Sequence, residues 1–317
     1  MVHICISGYY GMGNNGDEGV LLAIMDELGW ENEYTVISPL PFNMCDSYKK
    51  HIPFAEDLRT QFDQRTDYDI YLLGGGNLNF GYSWQQVLQA FASDKPCMNY
   101  AVEYKKDLFY NPKLHTVYKS FLEHFGAITV RDKHSQNLLR EVGVESVLTG
   151  CPALNLKERK INIAENMVVV CPRYEDFNVG DNTNQIEWFV NRLQDMKDEV
   201  LLIPFCPTDL EGQLRDLAVC KEIAVRLKGA RILNVDGYSP REVKYAISRS
   251  KKVISGGRYH AVMWAMAHNV PFEVYPQGLV NYPKIQGLIE MYQEYGVDKL
   301  KEMERKNVQV FWETVYG

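Results

Sequence analysis

The sequence has no paired-cysteine motif. Its seven cysteines, Cys5, Cys45, Cys97, Cys151, Cys171, Cys206 and Cys220, are odd in number, scattered and set mostly in apolar runs, with no Cys-x-x-Cys step. A disulfide framework and a zinc site are thereby excluded, and a reducing, cytoplasmic setting fits. No window supplies the ~18 uninterrupted apolar residues of a membrane span. The opening Met1-Val2-His3-Ile4-Cys5-Ile6-Ser7-Gly8 has no basic n-region and reads as a buried first strand rather than a signal peptide. There is no excess of basic charge either: the formal net charge is −7, which argues against general nucleic-acid binding and means that any anionic ligand is met locally, by a few placed cations or backbone amides. Internal repeats with matching motifs are absent, and no Gly-Lys-Ser/Thr step marks a P-loop.

What is present is the composition of a globular protein, 46% hydrophobic and 24% charged, in a chain of 317 residues that is long for one core and comfortable for two. Short β-rich runs alternate with longer helical patterns, which implies parallel sheets covered by crossover helices. Two rounds are visible. The first places strands at 2–7, 34–38, 70–73, 97–100, 127–130 and 146–148, with helices at 18–28, 84–92, 113–124 and 133–142. The second places strands at 167–171, 199–203, 230–234, 252–255 and 271–274, with helices at 184–197, 211–228, 240–249 and 259–268. Residues 155–166 are the linker candidate, and helices at 282–295 and 298–315 form a tail able to cross back over the first unit. The expected fold is α/β, with two Rossmann-like doubly wound domains, residues 1–157 and 158–317, facing a cleft. Ligands of open α/β sheets bind at the carboxyl ends of strands, so chemistry is sought there.

Four segments stand at such ends. Gly8-Tyr9-Tyr10-Gly11-Met12-Gly13-Asn14-Asn15-Gly16-Asp17-Glu18 lies between the first strand and an amphipathic helix. Gly11 and Gly13 permit positive φ and close backbone approach, and the helix N-terminus offers free amides. Asp17 and Glu18 there suit an N-cap and first-turn dipole partners equally well, and a nucleotide phosphate would sit badly beside them. Leu72-Leu73-Gly74-Gly75-Gly76-Asn77-Leu78 ends a buried strand in three glycines, which reads as a ligand-facing loop. In Val130-Arg131-Asp132-Lys133, Arg131 can grip a carboxylate or phosphate with its planar fork, while Asp132 can cap the next helix or orient the arginine. Ser255-Gly256-Gly257-Arg258-Tyr259-His260 sets a proton-exchanging histidine two residues from an arginine at a helix start. Lys284, before the tail helix, is a further candidate cation, and Tyr9, Tyr10, Tyr82 and Trp84 are candidate sugar-stacking surfaces. His268 and Asp209 read as structural.

Taken in order, these segments resemble the polysaccharide pyruvyl transferase family: a glycine-asparagine-glycine-Asp-Glu opening, Gly-Gly-Gly-x-Leu, Arg-Asp-x-x-Ser, Ser-x-x-Arg-x-His and Tyr-x-Lys, spanning residues 4–296. The resemblance implies a GT-B-like fold and transfer of a pyruvyl group from phosphoenolpyruvate to a sugar as a cyclic ketal, with no metal or other cofactor. It further implies His260 as the catalytic histidine and Arg131, Arg258, Lys284 and Gly257 as phosphoenolpyruvate-binding residues, with the second domain as the phosphoenolpyruvate side. Gly11, Gly13, Asn14, Asp17, Glu18, Gly75, Gly76 and Asn77 would then form the acceptor or cleft loops of the first. A lipid-linked acceptor would bring the chain to the inner membrane face. The chain departs from the family pattern at Gly150-Cys151-Pro152-Ala153, where many relatives carry Asp before Pro-Ala, and at Pro204-Phe205-Cys206-Pro207, where the family has a histidine-rich turn. A nucleotide-sugar glycosyltransferase and a non-catalytic carbohydrate-binding protein are the alternatives.

Overall fold

The structure, a computed structural model, describes residues 1–11, 13–37, 68–75, 94–104, 119–175, 182–207, 215–234 and 238–317. Eleven strands among them form two wholly parallel sheets. The first runs β2-β1-β3-β4-β5-β6, from β1 (His3–Ser7), β2 (Glu33–Ile37), β3 (Ile70–Gly74), β4 (Cys97–Val102), β5 (Ala127–Val130) and β6 (Val147–Leu148). The second runs β11-β10-β7-β8-β9, from β7 (Val168–Cys171), β8 (Val200–Leu202), β9 (Arg231–Ile232), β10 (Lys252–Ser255) and β11 (Phe272–Val274). The central strands β3, β4 and β7 are buried at every residue, as expected of parallel strands covered on both faces. In each sheet the winding reverses once, between β1 and β3 and between β7 and β10, and a crevice opens at such a reversal.

Of the helices, α1 (Asn15–Leu28), α5 (Pro240–Ser248) and α6 (Tyr259–Ala267) lie where the two sheets meet. The others with full bounds are α2 (Lys133–Glu141), α3 (Asn182–Leu193), α4 (Asp216–Arg226), the short α7 (Pro276–Asn281) and α8 (Pro283–Tyr316). The expected amphipathic stripe on α1 is not what forms. Twelve of its residues are buried, because one side packs on the first sheet while the other meets α5, α6 and the Pro152–Leu154 turn. At Gly19 a Cβ would lie 3.1 Å from Trp264 and 3.4 Å from Leu156 and Pro240, so this glycine sets how closely the second half approaches. α6 is buried at all nine residues for the same reason. One hydrophobic core accordingly runs through residues of both sheets.

The tail, Pro283–Tyr316, is the two expected helices run together across a kink at Gly296, whose φ of 71° is non-helical. It packs against β4 and β5 of the first sheet, where Thr129 donates to Asn307 Oδ1 at 2.6 Å. β9 covers less than the expected 230–234, and α7 is an addition to the expected elements. The expected helix at 84–92 lies outside the described residues, as does most of 113–124, of which 119–123 are helical.

Candidate functional site

The loops that leave β7 and β10 at the second sheet's reversal are pressed together. Gly256 N donates to Cys171 O at 2.9 Å, and a Cβ on Gly256 would sit 2.5 Å from Gln185 Oε1 and 2.8 Å from Arg173 N. Gly257 has φ +115° and room for no side chain, since Tyr282 fills the space. Ser255 Oγ then accepts from Gly257 N and Arg258 N and turns the chain into α6, with Arg258 at the N-cap position and His260 in the first turn.

Arg258 is buried and paired with Asp216, while its Nε donates to Pro172 O at 3.4 Å. The same carboxylate accepts from Tyr174 N and Cys206 N, both at 2.9 Å. Asp216 therefore pins the loops after β7, β8 and β10 to one point. Burial works against charge on Arg258, and Asp216 offsets it.

Arg131 enters from the end of β5, 2% exposed, with its guanidinium 4.6 Å from the Tyr259 ring centroid. It pairs with Glu103, and Lys284 Nζ donates to the same Glu103 oxygen at 3.2 Å. Among the described residues, Arg131 Nε and Nη1 have no hydrogen-bond partner. Buried donors left open cost free energy unless a ligand completes them. The neighbouring Asp132 does the capping, accepting from Ser135 N at 2.7 Å. Arg173, after β7, lies 3.7 Å over the Tyr282 ring, and its Nε is likewise buried without a partner. Burial and the adjacent Arg258 both work against its charge.

Asp17 of α1 stands within the field of all four cations. Burial raises its pKa, and Arg131, Lys284, Arg258 and Arg173 oppose that rise. The cap of α1 is Asn14, whose Oδ1 accepts from Gly16 N, leaving Asp17 and Glu18 in the first turn. α1 reaches the second sheet through Asn15 N, which donates to Phe205 O at 2.9 Å. His260 is enclosed between these parts. A Cβ on Gly16 would collide with its Nδ1, and Cys151 Sγ lies 3.6 Å from its Nε2. Burial, then Arg131, Lys284 and Arg258, push its pKa well below the usual histidine range, so the ring is neutral at neutral pH.

His260, Arg131, Arg258, Lys284, Gly257 and Asp17 are thus brought to one place. The glycines after β3 are employed differently: Gly75, with φ +68°, leaves space that Tyr10 Oη and Val20 occupy at 2.6 Å from a would-be Cβ, so protein rather than ligand fills it. Gly11 and Gly13 adopt the positive φ expected of them. Tyr10 is fully buried and donates to Gly74 O at 2.6 Å, which removes it from any sugar-stacking surface. Met12, Gly76, Asn77, Tyr82, Trp84 and Asp209 lie outside the described residues. His268 pairs with Glu158 at 2.7 Å, away from the cluster. Sequence reasoning missed Glu103, Arg173 and Asp216. The strand-end rule that selected Arg131 and Arg258 also points to Arg173, two residues past β7; Asp216, inside a helical pattern, carries no such signal.

Two all-parallel, doubly wound sheets with charged residues converging from the carboxyl ends of their strands define a GT-B-like protein. Structures of the same architecture include the UDP-GlcNAc 2-epimerase of Neisseria meningitidis bound to UDP-GlcNAc (13% identity, 100% of both chains covered, TM-score 0.60) and that of Methanocaldococcus jannaschii in complex with UDP-GlcNAc and UDP (9% identity, 100% of both chains, TM-score 0.59). Within that architecture the chain belongs to the polysaccharide pyruvyl transferase family, whose model matches residues 20–274. No curated protein sequence matches it significantly. Among the described residues, no helix is long and apolar enough to cross a membrane.

Proposed function

We propose that the chain transfers the pyruvyl group of phosphoenolpyruvate to two hydroxyls of a sugar in a polysaccharide or its lipid-linked precursor. The observation that carries this reading is the convergence of Arg131, Arg173, Arg258 and Lys284 around His260 and Asp17, with open guanidinium donors on two of the arginines. Phosphoenolpyruvate presents a carboxylate and a phosphate on the same carbon, C2. Planar guanidinium forks and the α6 N-terminus match both.

Burial and then the cations hold His260 neutral; arrival of this anion offsets the cations and raises its pKa, so the ring takes up a proton as the donor binds. His260 then delivers that proton to the methylene carbon, C2 gains oxocarbenium character, and one sugar hydroxyl adds there. Asp17, held against charge by burial yet faced by cations, receives that hydroxyl's proton. Phosphate leaves, and the second hydroxyl closes the ketal. Of the two hydroxyl protons, one balances that delivered to the new methyl group and the other leaves with phosphate. Cations and amides fixed in advance around the phosphate stabilise the negative charge it carries off as the C2–O bond breaks, and so supply much of the rate gain.

The test uses phosphoenolpyruvate labelled with 13C at the methylene and a panel of sugar acceptors. The expected product carries the label as a ketal methyl group. Glycosyl transfer from a nucleotide sugar with no label transfer would instead assign the cleft to glycosyl chemistry, and saccharide binding without turnover would assign it to recognition alone.

A further inference from the structure

His260 is held from both ring edges, and the residue at Nε2 is Cys151, 3.6 Å away and buried. Cys151 leads from β6 into the turn Pro152–Leu154, whose backbone is anchored by Trp264 Nε1 donating to Ala153 O at 2.8 Å and by Lys244 Nζ donating to Leu154 O at 2.8 Å. The sulfur is therefore rigidly placed. We propose that Cys151 is a positioning residue for His260: as an uncharged partner it holds the imidazole in place without favouring its protonated form, so that an anion bound among the surrounding cations is what protonates the ring. This inference rests on the proposed reaction only for its kinetic consequence.

The chemistry follows from what faces the ring. Arg131 comes from β5, Lys284 from α8 and Arg258 from the turn before α6, all disfavouring imidazolium. From α1, Gly16 packs against Nδ1, and Asp17 is engaged with the same cations. Glu103, at the end of β4, is tied to Arg131 and Lys284. The rings of Tyr259 and Trp264, with centroids 5.2 and 6.2 Å from that of His260, carry no charge, and burial pushes the pKa of the thiol at Nε2 up to about 11, so it too carries its proton at neutral pH. A neutral thiol can donate to Nε2 or accept from it, but supplies no charge to offset an imidazolium. A carboxylate at this position would supply one.

The experiment is an NMR titration of the His260 ring in the full chain, assigned with His260→Gln, for wild type, Cys151→Ser, Cys151→Ala and Cys151→Asp, without ligand, with inorganic phosphate and with phosphoenolpyruvate. The expected result is an unprotonated ring at pH 7 in ligand-free wild type and Cys151→Ser, moving up by about 1–3 pH units when either anion binds, an opposite charge within a few ångströms having that effect. Cys151→Asp should show the raised value before any ligand is added, and the acid limb of its pH–rate profile should shift upward with it. Cys151→Ala should lose kcat while keeping the KM for phosphoenolpyruvate, and Cys151→Ser should restore part of that loss. An unchanged titration in folded Cys151→Asp, or a wild-type kcat in Cys151→Ala, overturns the proposal. Should Cys151→Asp fail to fold, the Ala–Ser comparison of kcat still decides. If no acceptor yields turnover, the proposed reaction fails, whereas the phosphate titration still tests Cys151.

Discussion

The two residues that divide the work of the site most sharply are Asp216 and Arg173, one holding the scaffold and the other open to a ligand. Asp216 satisfies a buried arginine and two backbone amides from separate loops. Removing it leaves Arg258 buried and unpaired, a change that typically costs about 3–5 kcal/mol. Asp216→Ala should therefore lower unfolding stability by that order in chemical denaturation, in addition to losing activity. Arg173 has its guanidinium laid on Tyr282 and one buried donor open. Arg173→Gln should retain near-wild-type stability yet weaken phosphoenolpyruvate binding by about 10- to 100-fold in calorimetry, the worth of a charge-assisted hydrogen bond of ~1.5–3 kcal/mol. A loss of stability without a loss of binding would make Arg173 a scaffold residue instead.

At the scale of elements, the N-terminus of α1 acts as one wall of the His260 pocket, and glycine at position 16 is what lets it come so close. Gly16→Ala should displace the imidazole and depress kcat while leaving phosphoenolpyruvate affinity largely intact, because none of the four cations is touched. Equal loss of kcat and binding would show that α1 does more than border the ring. Most strands were legible in the sequence, because runs such as Ile70-Tyr71-Leu72-Leu73 and Val168-Val169-Val170-Cys171 are apolar on both faces and end in glycine or proline. The burial of α1 was less legible: its surroundings are made by α5, α6 and the turn at Pro152, all more than 120 residues away, and local periodicity carries no record of a second packing partner. The same limit applies within the site. Arg131, Arg258 and His260 announced themselves by standing at strand ends, whereas the Cys151–His260 contact joins residues 109 positions apart. The glycine run after β3 gave the opposite lesson, since Gly75 answers to Tyr10 and Val20 rather than to a ligand.

Across the whole molecule, α8 returns to the first sheet and brings a carboxyl pair with it. Glu304 is fully buried, bonded to Asn155 just after the Pro152–Leu154 turn, and sits against Glu27 of α1. Burial, then Glu304, raise the Glu27 pKa far above the usual carboxylate range. A group whose folded pKa exceeds its unfolded value contributes stability that is full below the unfolded pKa and lost as pH rises toward the folded one. The chain should accordingly lose stability from mildly acidic through alkaline pH, and Glu27→Gln should flatten that loss and raise the melting temperature at pH 8. A variant as pH-sensitive as wild type would place the effect elsewhere. Unlike this pair, which lies on the side facing the tail, the cationic site stands where the two sheets' carboxyl ends meet, and on the proposed reading an anion there would bridge both halves through Arg131 on one side and Arg173 and Arg258 on the other. That bridging makes phosphate release from phosphoenolpyruvate the most direct test of the proposed reaction, measured against a panel of lipid-linked and nucleotide-activated sugars for wild type, His260→Ala and Arg131→Ala. Release should depend on one acceptor class and be lost in both variants, while no release with any acceptor, together with no binding of phosphoenolpyruvate to the wild-type chain, would contradict pyruvyl transfer at this site.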